Sequence, residues 1–213
     1  MRRILVASRN PKKLEELRRV LAGARVTGLQ VVGLDEVADY PETPETGATF
    51  EENALLKAQD GARATALPCI ADDSGLTVEA LNGMPGVLSA RWSGTHGDDA
   101  ANTALLLAQM ADVPDERRHA AFVSCCALVV PTEEYVDGEE GPQVNETAVH
   151  GEWQGAIARA PRGGNGFGYD PVFVPAGSAR TAAEMPAEEK DADSHRARAL
   201  AQLVPILRTL AQQ

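Results

Sequence analysis

RILVASRNPKKLEELRRVLAG, residues 3–23, is the stretch that decides the fold. Residues 3–7 read as a buried strand, and Asn10 and Pro11 then offer a helix cap and a first helical residue whose φ is already set. Apolar residues recur at helical spacing from Leu14 onward until Gly23, where the helix can end. A strand, a short polar turn and a helix in this order are typical of an α/β fold.

The alternation of strands and helices continues along the chain, which supports the α/β prediction. Further strands are predicted over 30–34, 69–71, 120–130 and 172–174, with another that begins near Val144 and pairs with the strand over 120–130. Helices are predicted over 49–66 and 98–110, and a last helix carries Leu200, Leu203, Leu207 and Leu210.

The sequence also predicts three local features. Thr49 and Glu52 have the spacing of a capping box, in which each side chain bonds the other residue's backbone. Asp72 to Gly75 is expected to form a turn after a short strand, and Pro205 is expected to bend the last helix or to end its first part.

The composition is that of an ordinary soluble protein, with 213 residues, 44% of them hydrophobic, and 31 acidic against 20 basic side chains. This length fits one domain, and no linker separates two autonomous parts, so we expect a single domain over 1–213. The net charge of −11 argues against binding to nucleic acid, because phosphate contacts on a duplex need clustered Lys and Arg. Positive charge for an anionic ligand would have to be local.

The cysteines and the apolar runs indicate a cytoplasmic protein. Cys69, Cys125 and Cys126 are an odd number within apolar stretches, which suits reduced core thiols, and no Cys/His metal spacing is present. The first apolar run is too short for a signal peptide, and the longest, 120–130, is about half of the ~20 residues of a membrane span. The acidic tip after Pro131 is interpreted as a solvated hairpin connection.

Four polar clusters interrupt these elements, at places where open α/β sheets usually bind ligands. The first runs from Ser8 to Lys13, where a helix N-terminus, a hydroxyl, an amide and two ammonium groups could hold phosphate. A simpler interpretation is that Asn10 is only a cap and that the lysines are solvated. No P-loop string is present.

The second cluster is acidic and could hold a hard cation. It consists of Glu45, Glu51, Glu52, Asp72 and Asp73, carried on separate elements as Mg²⁺ sites require. Neighbouring residues of an extended chain point to opposite sides, so one aspartate could face a ligand while the other braces the turn. A capping role alone would explain Glu52, and an Asx-turn alone would explain Asp73.

The other two clusters could surround a flat ring. Residues 163–171 are rich in glycine and carry Phe167 and Tyr169, although a tight hairpin turn would explain the glycines equally well. Lys190 precedes Ser194, His195 and Arg196 at the start of the last helix, where the helix dipole disfavours cations. Cations at such a position indicate a nearby anion or polar ligand.

Taken together, the motifs resemble the inosine/xanthosine triphosphate pyrophosphatase family. The matching residues occur in the family's order over nearly the whole chain: Ser8, Asn10 and Lys13; Glu45-Thr46-Gly47 with Thr49 to Lys57; Ala71 to Leu76; Gly83 to Arg91; Phe167 to Pro171; and Glu184 to Arg196. The departures are a serine at position 8, a longer acidic tip and Pro205. The acidic tip and Pro205 lie outside the site motifs.

The resemblance implies an elongated, two-lobed mixed α/β fold with a long curved central sheet, an active-site cleft between the lobes, a homodimer and a requirement for Mg²⁺. It also implies hydrolysis of ITP, dITP and XTP to the monophosphate and pyrophosphate. Carried over onto this chain, Glu45 and Asp73 would bind the metal, and Asp73 would act as the general base. The residues implied to bind substrate are Ser8, Arg9, Asn10, Pro11, Lys12, Lys13, Lys57, Ser74, Phe167, Gly168, Tyr169, Asp170, Lys190, His195 and Arg196.

Phosphoryl chemistry agrees with this assignment, because such enzymes mainly position the phosphorus, neutralise its oxygens and orient a water. Phe167 could stack on a purine, and a donor such as Arg196 could bond the 6-oxo group that adenine lacks. Two alternatives stay open. The chain could be a pyrimidine-directed dTTP/UTP pyrophosphatase, or a sensor that binds Mg²⁺-nucleotide without hydrolysis.

Overall fold

The computed structural model describes residues 1–135 and 142–212, so most of the predicted acidic tip lies outside the described residues. The fold is mixed α/β, as the sequence predicts. The strands are β1 (Arg2–Val6), β2 (Leu29–Val32), β3 (Cys69–Val78), β4 (His119–Tyr135), β5 (Pro142–Ile157) and β6 (Phe173–Pro175). The helices are α1 (Pro11–Gly23), α2 (Phe50–Thr65), α3 (Asp99–Gln109), α4 (Ala187–Asp193) and α5 (His195–Leu210).

The described strands form one six-stranded sheet in the order β2-β1-β3-β4-β5-β6. β1 is parallel to both β2 and β3, and β5 is antiparallel to β6, so the sheet is mixed. The predicted neighbourhood of β4 and β5 is confirmed. The parallel pairs follow from the sequence, because each returns to the sheet through a segment that contains a helix.

The chain divides into two compact units. The first unit comprises Met1–Asp73, Cys125–His150 and Ala197–Gln213, of which Gln213 and residues 136–141 are not described. The second unit comprises Ser74–Ser124 and Gly151–Arg196.

The first unit has a hydrophobic core on each side of its strands, and the alternation of strand side chains separates them. Ile4, Ile70 and Cys126 contribute to one core with buried residues of α1 and α5, while their neighbours Leu5 and Cys69 contribute to the other core with α2. In the part of β3 that belongs to the first unit, even positions therefore face α1, and odd positions face α2.

The second unit has a single core around Phe173, whose side chain is fully buried. The ring centroid of Phe173 lies 4.6 Å from that of Phe122 and 5.5 Å from that of Trp153. The buried Arg118 guanidinium donates to the carbonyls of Met110, Ile157 and Ala158, which satisfies its charge inside the unit.

The predicted turn at Asp72 to Gly75 is wrong, because β3 runs through it to Val78. Leu76 and Val78 are fully buried in the second unit's core, and this burial outweighs the turn preference of the Asp-Ser-Gly sequence. A Cβ at position 75 would clash with the Ser89 hydroxyl oxygen. Glycine is therefore needed there for close packing within a strand, and not for a turn.

The two helix expectations are met in part. Thr49 caps α2 by accepting a hydrogen bond from the Glu52 N–H at 3.1 Å, but the Glu52 carboxylate accepts from the Ala48 N–H at 2.6 Å instead of completing a capping box. α5 continues past Pro205, so the expected end there is wrong. Leu203 and Leu207 are fully buried on either side, and their packing compensates for the missing backbone hydrogen bond.

None of the three cysteines forms a disulfide and all are buried, as predicted for core thiols. Among the described helices, none is both long enough and apolar enough to span a bilayer.

Candidate active site

Asp72 and Asp73 lie on β3 in the first unit, and their side chains take opposite directions, as strand alternation requires. The Asp72 carboxylate faces α1 and lies 2.7 Å from the Lys13 ammonium. Asp73 faces α2, where one oxygen lies 3.4 Å from the Lys57 ammonium and the other accepts a hydrogen bond from Asn53 at 3.1 Å. Lys13 and Lys57 are thus each brought to one of the paired aspartates.

Glu45 joins this cluster through Lys57. Its carboxylate lies 2.9 Å from the Lys57 ammonium, so one lysine contacts two carboxylates from different parts of the chain. The segment before α2 is held in place by Asn53, whose amide oxygen accepts from the Gly47 N–H at 2.8 Å. We refer to Lys13, Lys57, Glu45, Asp72 and Asp73 as the charged centre.

Asn53 is a functional candidate whose role the sequence did not reveal. Its side chain is fully buried and connects Asp73 to the segment that carries Glu45. The signal was present in the sequence, because Asn53 shares the buried face of α2 with Ala54 and Ala58, where a polar residue requires a partner.

The environment shifts the pKa values of both central groups. Burial raises the pKa of the Asp73 carboxyl, and the opposing effect of the Lys57 charge does not fully offset it. Burial alone would lower the pKa of Lys57, but Asp73, Glu45 and Asp72 outweigh that effect and raise it. Asp73 is therefore a stronger base than an ordinary aspartate, whereas Lys57 stays charged.

The charged centre contains three carboxylates and two ammonium groups, so the formal charge of these five groups is 2 − 3 = −1. The expected local positive charge is therefore not found in this set. Oxygen ligands and a surplus of negative charge fit a hard cation such as Mg²⁺, which is usually held by one or two carboxylates and by substrate oxygens. Glu45 and Asp73 are suitable ligands.

The polar turn before α1 is only partly directed at the charged centre. The Ser8 hydroxyl accepts a hydrogen bond from the Asn10 N–H at 3.2 Å, which shapes the turn. Arg9 forms an exposed ion pair with Glu42 at 3.5 Å. Pro11 begins α1, as predicted, but the side chains of Pro11 and Lys12 lie outside what the structure describes.

The second unit contains a pocket of about 130 Å³ around the predicted ring-binding residues. Residues from both predicted clusters line it together with residues of other elements: Ser74, Gly75, Leu76, Ser89, Ala90, Asp99, Phe122, Phe167, Gly168, Tyr169, Asp170, Lys190 and His195. We call this the aromatic pocket. The 163–171 segment and the start of α5, which are distant in sequence, therefore meet as predicted.

The glycines of this segment allow Asp170 to organise its backbone. Gly166 has a φ of +80°, and a Cβ there would clash with an Asp170 carboxylate oxygen. The same oxygen accepts a hydrogen bond from the Phe167 N–H at 2.8 Å and forms an ion pair with the Lys190 ammonium. The segment is therefore a structured loop around one carboxylate, and the interpretation as a simple tight turn is wrong.

The rings around the pocket differ in how far they are exposed to solvent. Phe167 is 51% exposed, and the Lys190 ammonium lies 5.1 Å from its ring centroid. The His195 ring stacks on Phe122 at a centroid distance of 5.1 Å and an angle of 17°. Tyr169 is buried and donates its hydroxyl to the Ser89 carbonyl at 2.9 Å, and burial raises its pKa.

Arg196 and Ser74 are brought together, with 3.2 Å between the guanidinium and the hydroxyl oxygen. Asp99 and Phe122 also line the pocket, although no sequence motif pointed to them. The Asp99 carboxylate accepts a hydrogen bond from the Gly168 N–H at 2.7 Å and so supports the loop from α3. Its position in the first turn of α3 signalled only a favourable helix dipole.

These features define a class: an α/β protein with a carboxylate and ammonium centre suited to phosphate chemistry and a pocket suited to a flat ring. A family model described as the Ham1 family matches residues 4–206. The chain belongs to the Ham1 family.

Similar proteins agree over nearly the full length. A curated dITP/XTP pyrophosphatase of Nocardia farcinica is 66% identical, with 100% of this chain and 98% of the relative covered. Another from Mycobacteroides abscessus is 65% identical, with 98% and 96% covered.

Two solved structures have the same fold. A crystal structure of the Mycobacterium abscessus nucleoside-triphosphatase, or dITP/XTP pyrophosphatase, matches with a TM-score of 0.78 and 64% identity, covering 96% of this chain and 99% of that one. The Staphylococcus aureus Ham1 protein matches with a TM-score of 0.83 and 35% identity, covering 98% and 100%.

Proposed function

We propose that this chain hydrolyses the deaminated purine nucleotides ITP, dITP and XTP to the monophosphate and pyrophosphate, with Asp73 as the base. The chain is a nucleoside triphosphate pyrophosphatase, and its curated relatives at 58–66% identity are named dITP/XTP pyrophosphatases. The observation that carries the role of Asp73 is its buried carboxyl, held by Asn53 and Lys57 and made more basic by burial.

The charge of the centre supports a requirement for a divalent cation. A triphosphate carries several negative charges, and the five groups of the charged centre sum to −1, so the protein groups alone would repel it. Glu45 and Asp73 would hold Mg²⁺, which when bound polarises phosphoryl oxygens. Lys13 and Lys57 are the cations of the chain that bind the phosphates.

The chemical step needs only one proton acceptor. A water molecule gives its proton to Asp73 as its oxygen bonds to the α-phosphorus, and the bond from that phosphorus to the bridging oxygen of the β-phosphate breaks. Pyrophosphate leaves with the bonding electrons. Ionised aspartate accepts the proton more readily when its pKa is raised toward neutrality, which is the effect of burial at this position.

The aromatic pocket selects the nucleobase of the substrate. Phe167 offers a half-exposed ring for stacking, and Lys190 and Arg196 are donors from two helices. A donor opposite position 6 of the purine bonds the oxo group of hypoxanthine or xanthine but faces another donor in adenine. Rejection by such a mismatch is stronger than rejection by size.

A nucleotide panel tests the reaction and its two alternatives. ITP, dITP, XTP, GTP, ATP and dTTP are incubated with catalytic amounts of the protein, with and without Mg²⁺, and pyrophosphate and orthophosphate are measured separately. We expect pyrophosphate from ITP, dITP and XTP but not from ATP or dTTP, and only with the metal. Preference for dTTP would instead support the pyrimidine-directed enzyme, and stoichiometric binding without turnover would support the sensor.

Three further parts of the proposal concern assembly and location. We propose one catalytic domain over 1–213, a homodimer and a cytoplasmic location, as the family resemblance implies. Light scattering coupled to gel filtration measures the mass directly, and one protomer has a mass of 22.6 kDa. A mass near that of one protomer would contradict the dimer.

A further inference from the structure

In addition to the charged centre, the first unit carries a second cluster of side chains of types that bind metals. One ligand atom each from Glu51, Cys125 and His150 lies within 4.8 Å of the other two. In the part of the chain that the structure describes, this is the one set of three or more His, Cys, Asp and Glu side chains so close together. We propose that Glu51, Cys125 and His150 form a site for a thiophilic divalent cation of the Zn²⁺ class, distinct from the Glu45 and Asp73 site.

The three side chains come from α2 and from two neighbouring strands, on the side of the sheet that α2 covers. Cys125 belongs to the same core as Cys69, Ala71 and residues of α2, so its thiol points toward that helix. Glu51 lies in the first turn of α2, and His150 lies on β5, the strand beside β4. Sequence spacing could not reveal this site, because 74 residues separate Glu51 from Cys125.

The distances suit a tetrahedral ion after small side-chain movements. The Cys125 Sγ lies 3.9 Å from the His150 Nε2, and that nitrogen lies 2.8 Å from the Glu51 Oε2. Around tetrahedral zinc, ordinary bond lengths place a sulfur and a nitrogen ligand about 3.5 Å apart and a nitrogen and an oxygen ligand about 3.4 Å apart. The side chains of His150 and Glu51 are 50% and 48% exposed, which leaves them room to adjust.

The ligand types decide which metal fits. Thiolate and imidazole select borderline and soft ions such as Zn²⁺ or Co²⁺, whereas Mg²⁺ prefers oxygen alone. Three protein ligands would leave the fourth position to water, and the exposed His150 and Glu51 side chains give access from solvent.

The electrostatic surroundings also favour a cation. Burial, followed by the charges of Glu51, Asp73 and Asp72, raises the pKa of the Cys125 thiol to about 12. The carboxylates that disfavour a free thiolate attract a dication, which replaces the thiol proton. Binding forms the sulfur–metal bond, breaks the S–H bond and releases one proton to the buffer, without a change of oxidation state.

Cobalt reports the site directly, because a thiolate bound to Co²⁺ gives a near-ultraviolet charge-transfer band. The full-length protein is freed of metal with a chelator and titrated with Co²⁺ in excess Mg²⁺, which occupies oxygen-only sites. We expect the band to saturate at one equivalent and to disappear when Zn²⁺ is added.

Cys126 provides the matched control, because it lies next to Cys125 but belongs to the core on the other side of the sheet. The band should persist in Cys126→Ala and vanish in Cys125→Ala. His150→Ala and Glu51→Gln, at exposed positions that folding tolerates, should weaken Co²⁺ binding by at least about 10-fold, since even outer partners of a metal are worth about 10- to 100-fold.

Several results would overturn the proposal. These are the absence of the band in the unmodified protein, its persistence in Cys125→Ala, or its loss in Cys126→Ala alone. Where Cys125→Ala fails to fold, unchanged Co²⁺ affinity in a folded His150→Ala protein, checked by circular dichroism, overturns it equally. The readout is independent of nucleotide hydrolysis.

Discussion

The first unit concentrates charge, whereas the second unit presents rings. In the charged centre, every carboxylate lies within 3.4 Å of a lysine ammonium. The aromatic pocket instead combines Phe122, Phe167 and Tyr169 with a few hydrogen-bonding groups. A phosphate anhydride is recognised by its charge and a purine by its flat ring. The two units can therefore be altered separately. Changes in the charged centre should slow every nucleotide alike, and changes in the pocket should alter the ratio between nucleotides.

The largest effect is expected from Asp73→Asn, which removes the proposed base and one metal ligand. We expect kcat/KM to fall by about 10²- to 10⁴-fold for ITP and XTP alike, the range for loss of a general base. Steady-state release of pyrophosphate measures it. The control is Asp60→Asn, which should keep full activity. Asp60 also lies on α2, where its carboxylate forms an ion pair with Arg63. Full activity in Asp73→Asn would contradict both of its roles.

Lys13→Ala should have the next largest effect, because it removes a phosphate contact of roughly 1.5–3 kcal/mol. This corresponds to a loss of about 10- to 100-fold in kcat/KM, which should be the same whichever nucleobase the substrate carries. Arg18→Ala is the control, because Arg18 lies on the same helix and its guanidinium pairs with Glu15 and Glu36. This variant should change kcat/KM little. If the Lys13 variant kept its rate, the lysine would be assigned to Asp72 alone.

Phe167→Ala tests the other unit. Loss of stacking on a base costs about 1–3 kcal/mol, so we expect KM for ITP to rise by roughly 10-fold while kcat changes little. Competition between ITP and dTTP should show reduced discrimination, because a purine offers the larger face for stacking. Phe167→Leu keeps an apolar side chain without an aromatic face and separates stacking from simple burial. A variant with lower kcat and unchanged discrimination would contradict the separation of the two units.

The smallest effect is a shift in the pH profile. Asp73 must be ionised to bind the metal and to accept a proton, so activity falls as the pH drops through the pKa of the metal-free carboxyl, which burial raises. The Asn53 hydrogen bond lowers that pKa, and Asn53→Ala should therefore move the acidic limb of kcat/KM to higher pH. Asn102→Ala changes an equally buried asparagine of the second unit and should leave the limb in place. A shift to lower pH would have the wrong sign.

The sequence by itself determined the α/β class, the start of α1 at Pro11, the N-cap of α2 and the buried cysteines. These features depend on local preferences and on periodic apolar residues, which are readable without a structure. Family motifs added the reaction, because their order along the chain is specific. The wrong expectations, a turn at Asp72 to Gly75 and an end of the helix at Pro205, came from local signals that distant packing overrides.

Only the tertiary structure decided which side chains meet. The ammonium of Lys57 lies near two carboxylates, Asn53 holds Asp73, and Asp99 supports Gly168 across 69 positions of the chain. Glu51, Cys125 and His150 meet for the same reason. Strand order and the two-residue alternation of β3 and β4 set these encounters, and they follow from how the whole chain buries its apolar surface, which no short stretch of sequence contains.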